Sequence, residues 1–270
     1  MNIGVSLYLT QKMKPDEALE MAAAAGFTQA EFPGEGMDDF WRMDPARVRA
    51  MLAQHGLCAR TAHSPGAGWN NDAPDDAVRR ASLDAASSVF AAAAAMGVEA
   101  IIVHPNSNDT HGFVASDWNA NIARSVESLK VLAERAAAHG LKLAVENLPR
   151  RGTPRPAGSV AEVLSMIDGL GPHVGLCVDI GHANSNGLRA ADELRAGAGR
   201  VYAIHVQDND GKGEDQHLEP GAGTVDWPAT LAAIERYAPQ AAVNFEIPSR
   251  GGERAMLERL AALRKTWTGR

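Results

Sequence analysis

Carboxylates and imidazoles recur along this chain at the ends of short apolar segments, at intervals of 26 to 42 residues. Seven residues form the series: Glu31, His63, His104, Glu146, Asp179, His205 and Glu246. Both side-chain types act as general acids and bases and as ligands for divalent metals. Buried carboxylates that meet without a cation repel one another and are forced to protonate. The series therefore predicts a metal-dependent acid–base site for Mn²⁺, Zn²⁺, Co²⁺ or Mg²⁺.

Three further candidate ligands lie just beyond this series. His182 follows Asp179 by three residues, and Asp215 and His217 open the segment DQHLEPGAGTVDW. Residues separated by one position point the same way only on extended backbone, so we expect the chain to be extended there. The end of the segment predicts a helix start, with Asp226 as the N-cap and a proline in the first turn.

Basic residues follow the fifth, seventh and eighth apolar segments. They are Arg150, Arg151, Arg155, Lys212 and Arg250. Two interpretations stand for each of them: contact with an anionic part of a substrate, or solvation of a loop. The whole chain carries a formal net charge of -7, which counts mildly against a nucleic-acid partner.

Eight short segments rich in β-branched residues alternate with helical patterns. Seven of these eight segments end in a residue of the ionisable series. The predicted strands are NIGVSL, QAEFP, LCARTAH, EAIIVHP, LKLAVEN, VGLCVD, RVYAIHV and AAVNFEI. Helical spacing of apolar residues is clear between Trp118 and His139, and one long helix is predicted over residues 76–96. The main alternative, a doubly wound sheet, lacks its glycine fingerprint after the first strand. Residues 1–270 are therefore predicted to form a single α/β domain, a (β/α)8 TIM barrel, whose strand ends share one rim.

The cysteines and the absence of targeting segments add expectations about burial, location and assembly. Cys58 and Cys177 lie in predicted strands, and we expect both to be buried core thiols. The sequence contains no leader pattern and no long apolar run, so we expect a cytoplasmic protein without a membrane partner. A homodimer is the default expectation for the assembly.

The motifs that carry the ionisable series resemble those of the xylose isomerase-like TIM barrels. This superfamily contains sugar phosphate isomerases and epimerases, and AP endonuclease family 2. The resemblance covers essentially the whole chain and rests on VEN, CVDIGH, IHVQD and FEI. It implies one divalent metal, often Mn²⁺, held by Glu146, Asp179, His205 and Glu246, and a substrate contact from His182.

The endonuclease branch of this superfamily is matched by more residues. That branch uses nine ligands for three zinc ions, and the resemblance extends the metal set to five more residues: His63, His104, His182, Asp215 and His217. Two departures favour the sugar enzymes, because the first strand lacks a histidine and the second ends in Glu31. A third departure, Gly152 in place of a glutamate, counts against an epimerase of free ketohexoses.

Together, these observations predict a metal-dependent isomerase or epimerase acting on a small sugar or keto-polyol. Glu146 and Glu246 would move the proton α to a carbonyl through a metal-stabilised enediolate. The predicted substrate contacts are His182, His63, Arg150 and Glu31. The alternatives are a multi-zinc phosphodiesterase resembling AP endonucleases, a sugar dehydratase or lyase, and a regulatory barrel that only binds metal.

Overall fold

Eight parallel strands pair in chain order and close into a barrel. The computed structural model describes residues 1–10, 13–34, 38–107, 117–248 and 250–269. Strands β1 to β8 are Ile3–Ser6, Gln29–Phe32, Cys58–His63, Ala100–Val103, Lys142–Glu146, Val174–Asp179, Val201–Val206 and Ala242–Phe245. The last strand pairs with the first, which closes the sheet. The predicted (β/α)8 barrel is confirmed, and the doubly wound open sheet is wrong.

Helices connect successive strands, as parallel pairing requires. Within the described residues, α1 to α11 are Pro15–Ala24, Asp38–Arg42, Pro45–Gln54, Asp76–Ser87, Phe90–Met96, Trp118–Ala138, Val160–Met166, Ile180–Ser185, Ala190–Ala196, Trp227–Tyr237 and Glu253–Thr268. None of these helices combines the length and the apolar character that a bilayer span needs. Asp226 caps α10 through the backbone N–H of Ala229 at 3.2 Å, as predicted.

The helix predicted as continuous over residues 76–96 is interrupted at its centre, where α4 ends and α5 begins. The Ser88 hydroxyl donates to the Ala85 carbonyl at 2.7 Å, and the Ser87 hydroxyl donates to the Leu83 carbonyl at 2.8 Å. Serine hydroxyls that bond back to the preceding turn compete with the helical ladder and bend the chain. Apolar periodicity continues across this break, which explains why the sequence pattern did not reveal it.

A layer of small side chains fills the barrel directly below the predicted site. Its buried members are Ile102, Ala144, Cys177 and Ala203. Each of them lies two residues before a member of the ionisable series, and alternate residues of a strand point to the same side of a sheet. The next layer toward the carboxyl ends therefore consists of His104, Glu146, Asp179 and His205. Because alternate residues of a strand point to the same side, these four ionisable residues form one layer inside the barrel.

The two cysteines differ in their environments. Cys177 is buried in the interior layer, as predicted, whereas Cys58 is exposed. Cys58 is the first residue of β3, and the burial of that strand begins one residue later at Ala59. The prediction of a buried Cys58 was wrong because the apolar segment extends beyond the covered part of the strand.

Candidate active site

Glu146, Asp179, His205 and Glu246 converge at the carboxyl ends of β5 to β8. One ligand atom from each lies within 4.8 Å of the others. His205 Nδ1 is 3.1 Å from Glu146 Oε1 and 3.2 Å from Glu246 Oε2. Asp179 Oδ2 is 3.8 Å from the same nitrogen. The tertiary structure has thus brought together the four residues that the family resemblance implied as metal ligands. We refer to these four residues as the central cluster.

The central cluster fits a divalent cation. Glu146, Asp179 and His205 are buried and lie beside the half-buried Glu246, and Asp179 Oδ2 accepts no hydrogen bond from the residues that the structure describes. An orphaned carboxylate oxygen in a buried site is costly unless a cation or a proton satisfies it. Mixed oxygen and nitrogen donors are suitable ligands for divalent cations, Mn²⁺ and Zn²⁺ among them.

The carboxylates of the central cluster have strongly different proton affinities in the absence of a metal. Burial raises the pKa of Asp179 to about 7, and the charges of Glu146 and Glu246 add to this increase. Burial acts in the same direction on Glu246, but nearby His205 lowers the pKa of Glu246 to about 2. Glu146 has a pKa well below its ordinary value for the same reason, with hydrogen bonds from histidines contributing. Both glutamates are therefore ionised at neutral pH and can accept a proton.

A second group of possible ligands shares Glu146 with the central cluster. His63 Nε2 and His104 Nε2 are 3.2 and 3.3 Å from Glu146 Oε2. Trp69 stacks on His104 with ring centroids 4.4 Å apart and contacts His63 edge-on. Burial lowers the pKa of His104 to about 4, so its imidazole is neutral and able to bind a metal.

A third group is formed by His182, Asp215 and His217. Asp215 lies between the two imidazoles, 3.4 Å from His182 Nε2 and 3.1 Å from His217 Nε2. The expectation of extended backbone at this point was wrong, because His217 has a left-handed φ of 45°. Its ring turns back toward Asp215, and its Nδ1 donates to the Glu246 carbonyl at 3.0 Å. Local backbone geometry therefore brings the pair together without an extended strand.

Glu31 is not exposed to the cavity, contrary to its predicted role as a substrate contact. Its side chain is buried, and its Oε1 lies 3.1 Å from His205 Nε2. Its other oxygen accepts hydrogen bonds from Thr61 at 2.6 Å and Asn244 at 3.1 Å. The side chain of Glu31 therefore lies inside the barrel, below the cavity, where it contacts His205 of the distant strand β7.

Arg150 also lies away from the central cavity, so its predicted substrate contact there does not fit the structure. Its guanidinium donates to Glu162 of α7 at 2.8 Å. The neighbouring Arg151 lines the cavity instead and donates to Asp215 at 3.1 Å. Successive residues of the loop after β5 point in different directions, which sequence position alone does not reveal.

Gln207 joins the central cluster to the third group, and sequence reasoning missed it. Its side-chain amide donates to Asp179 Oδ1 and to Asp215 Oδ1, both at 3.1 Å. Gly181 makes room for it, since a Cβ on Gly181 would lie 2.0 Å from the Gln207 amide oxygen. Gln207 follows His205 by two residues, so strand alternation was a signal that could have identified it.

The three groups surround a cavity of about 240 Å³ at the carboxyl end of the barrel. The polar wall of the cavity consists of Glu146, Glu246, His63, His104 and the third group. Tyr8, Pro33, Trp69 and Pro149 contribute apolar surface. Such a cavity suits a small polar molecule, for which a few placed polar groups set the orientation.

This combination of a closed barrel and a histidine–carboxylate rim matches a known protein family. The sequence profile of the xylose isomerase-like TIM barrels matches residues 19–266. The chain belongs to this family. The family match covers the strands and the rim groups from β2 through β8.

Individual relatives of this xylose isomerase-like barrel are distant. An uncharacterised protein of Methanocaldococcus jannaschii is 26% identical over 196 residues, which cover 68% of this chain and 62% of that relative. A protein named probable endonuclease 4 of Nitratidesulfovibrio vulgaris is 24% identical over 210 residues, or 71% of this chain and 72% of that relative. A solved D-tagatose 3-epimerase-like protein superposes with a TM-score of 0.85 at 18% identity, covering 100% of this chain and 98% of that chain.

Proposed function

We propose that this protein is an enzyme that epimerises or isomerises a small sugar or keto-polyol by moving the proton α to a carbonyl. One observation carries the proposal: Glu146 and Glu246 each place a carboxylate oxygen within 3.2 Å of the same His205 nitrogen, at the base of the cavity. Proton removal requires an ionised carboxylate, and return of a proton requires a second group that carries one, so two carboxylates beside one bound molecule can serve as the base and the acid. The fold shared with a D-tagatose 3-epimerase-like protein supports this proposal.

The central cluster would hold the divalent cation, Mn²⁺ or Zn²⁺. When bound, such an ion supplies a Lewis acid that acidifies the proton α to a substrate carbonyl and stabilises the enediolate charge. Glu246 is assigned the role of base by its position at the cavity, and its pKa of about 2 means that it is ionised in the metal-free site at neutral pH. It is also partly open to the cavity, so its carboxylate can reach a substrate carbon.

Glu146 is suited to exchange a proton with its surroundings. Its Oε2 is 3.2 Å from His63 Nε2. Burial lowers the pKa of His63, but the hydrogen bond and the charge of the Glu146 carboxylate raise it above its ordinary value. His63 is therefore placed to exchange a proton with Glu146. His182, on the same wall of the cavity, is placed to orient a hydroxyl group.

Replacing each glutamate by glutamine tests this assignment. We expect Glu146→Gln and Glu246→Gln each to reduce exchange of the substrate α-proton with D₂O by about 10²–10⁴-fold, the range for losing a general acid or base. Nuclear magnetic resonance of ketoses and keto-inositols incubated with Mn²⁺-loaded protein measures the exchange.

Glu99→Gln is the matched control, because Glu99 pairs with Arg60 at the opposite end of the barrel. Metal content is measured alongside for both site variants, since Glu146 and Glu246 are also proposed ligands. Exchange that persists at wild-type rate in both site variants would remove this mechanism.

A second candidate function is phosphodiester cleavage at abasic sites in DNA. The observation that favours it is the presence of two further ligand groups next to the central cluster, one with His63 and His104 and one with His182, Asp215 and His217. The relative named probable endonuclease 4 supports the same alternative. Nicking of a duplex with one abasic site, abolished by Asp215→Asn, would favour cleavage over sugar chemistry. A related dehydratase would instead release water from the substrate.

A further inference from the structure

A second groove of about 660 Å³ lies beside the cavity of the candidate site, and Arg151 lines both. The groove is formed at the carboxyl end of the barrel by the loop after β5, the end of α8, the loop after β7 and Trp118 at the start of α6. We call it the Arg151 groove. The Arg151 side chain therefore stands between the cavity beside Glu146 and a second open space.

The Arg151 groove is basic in an acidic protein. Of its twelve lining residues, three are cationic and none is acidic. Those cations are Arg150, Arg151 and Lys212, whereas the whole chain has a net charge of -7. Outside the lining, Arg150 is paired with Glu162 at 2.8 Å, and the Lys212 ammonium is 3.9 Å from Asp210. The charge therefore favours an anion at this place over the rest of the surface.

Arg151 is held where the two spaces meet. Its backbone adopts a left-handed φ of 48°, which a non-glycine residue rarely adopts. Its guanidinium donates to Asp215 at 3.1 Å, and this bond uses one of its five N–H donors. Its side chain remains 45% exposed, so further donors are open to a ligand. A fixed guanidinium with open donors is the group that binds carboxylate and phosphate best.

Glycines keep the Arg151 groove wide. Gly152, Gly187 and Gly213 line it with positive φ, and no atom lies within 4 Å of the position that a Cβ would occupy on any of them. Asn186 and Ser185 add polar side chains to the same wall. The groove therefore offers room for a tetrahedral or planar anion and its solvation shell.

We infer that the substrate is an anionic sugar or keto-polyol, with its phosphate or carboxylate bound in the Arg151 groove while its hydroxyketone end reacts between Glu146 and Glu246. Arg151 provides the main contact, and Lys212 and Arg150 add long-range attraction. This inference rests on the proposed function and specifies its substrate class. It also gives Arg151, rather than Arg150, the role of the basic substrate-binding residue.

A set of matched ketoses tests the inference. D-Fructose, D-fructose 6-phosphate and D-fructuronate differ at carbon 6 in carrying a neutral, a phosphate or a carboxylate group. We expect at least one anionic member to undergo α-proton exchange with a kcat/KM about 10- to 100-fold above that of D-fructose, the factor for a charge-assisted hydrogen bond. Arg151→Ala should remove this preference mainly by raising KM, and Arg151→Lys should restore part of it.

Two controls separate an anion contact from an indirect effect through Asp215. Lys212→Ala, at an exposed position, should raise KM for the anionic ketose by a smaller factor. Arg195→Ala removes the same charge from α9, where Arg195 pairs with Asp192, and should change nothing. If Arg151→Ala lowers exchange of neutral and anionic ketoses equally, or if D-fructose is preferred, the inference is wrong.

Binding of inorganic phosphate gives a readout that does not depend on turnover. By isothermal titration calorimetry at constant ionic strength, wild-type metal-loaded protein should bind phosphate about tenfold or more tightly than Arg151→Ala. If the wild-type protein and Arg151→Ala bind phosphate equally tightly, the Arg151 groove is not an anion site. Tighter binding by the wild-type protein without exchange of any ketose would support the groove and contradict the proposed reaction instead.

Discussion

His205 is the residue on which the central cluster depends. Carboxylates contact both of its ring nitrogens, with Glu31 on Nε2 and Glu146 and Glu246 on Nδ1. Burial lowers the pKa of His205, but the charges of the surrounding carboxylates Glu246, Glu31 and Glu146 raise it well above its ordinary value. A ligand histidine whose outer nitrogen donates to a carboxylate has its ring orientation fixed and its basicity raised. Glu31 therefore holds His205 so that its Nδ1 faces the other members of the central cluster.

Glu31→Gln should weaken metal binding without emptying the site. We expect Mn²⁺ affinity to fall about 10- to 100-fold, because the amide cannot hold His205 as strongly as the carboxylate does. Calorimetric titration of metal-free protein measures the change. Glu99→Gln, at the far end of the barrel, is the matched control. Unchanged Mn²⁺ affinity in Glu31→Gln would mean that Thr61, Asn244 and the barrel wall fix His205 without help from Glu31.

The loop between β7 and α10 is the element that carries the third ligand group. Buried Asp208 anchors it by accepting hydrogen bonds from the backbone N–H groups of Gly221 at 2.8 Å and Val225 at 3.2 Å. The Trp227 indole donates to the same carboxylate at 2.9 Å. Leu218 pairs with Asp208 through their backbones, so the loop folds back onto its own start. This anchoring places Asp215 and His217 at the rim.

Asp208→Ala should release this loop. Several buried donors would lose their acceptor, so we expect the free energy of unfolding to fall by about 3–5 kcal/mol. Urea denaturation measures the loss. Asp210→Ala is the control in the same loop, and its effect should stay within about 0.5 kcal/mol because Asp210 is at the surface. A stability loss in Asp208→Ala no larger than that of the control would show that the loop is held elsewhere.

At the scale of the whole molecule, the closed barrel concentrates ionisable groups from seven strands in one buried place. Burial lowers the pKa of His182 and His217, but the carboxylates around them raise these values to about 10 and about 9. In the metal-free protein both imidazoles are therefore protonated at neutral pH. Raised histidine pKa values stabilise the fold fully below the ordinary value near 6.5, and this stability is lost as pH rises through the folded values.

The free energy of unfolding of the metal-free protein should therefore decrease between about pH 7 and pH 10. Glu246 does not contribute to the pH dependence of stability between pH 7 and pH 10, because its pKa of about 2 keeps it ionised throughout this range. Urea denaturation at several pH values, with chelator present, measures the slope. His217→Gln should flatten the slope, whereas replacing the exposed His139 by glutamine should not. A stability that stays level or rises over this window would contradict the protonated state of both histidines.

The sequence alone determined the barrel and the central cluster. Eight apolar segments with a period of two, each followed by a helical pattern, admit few other folds, and strand alternation places Glu146, Asp179 and His205 on one inward layer. These features are local, so spacing encodes them. The nine candidate metal ligands were named for the same reason, together with the resemblance that their motifs carry.

Only the tertiary structure decided the direction in which each loop residue points and which residues share a space. Arg151 rather than Arg150 lines the cavity, Glu31 lies inside the barrel below the cavity, and Gln207 joins two ligand groups. Each outcome depends on a backbone angle in a loop or on a contact between strands far apart in the chain. The physical reason is that periodicity fixes the facing of residues within strands and helices, whereas loop conformation is set by long-range contacts that no local pattern encodes.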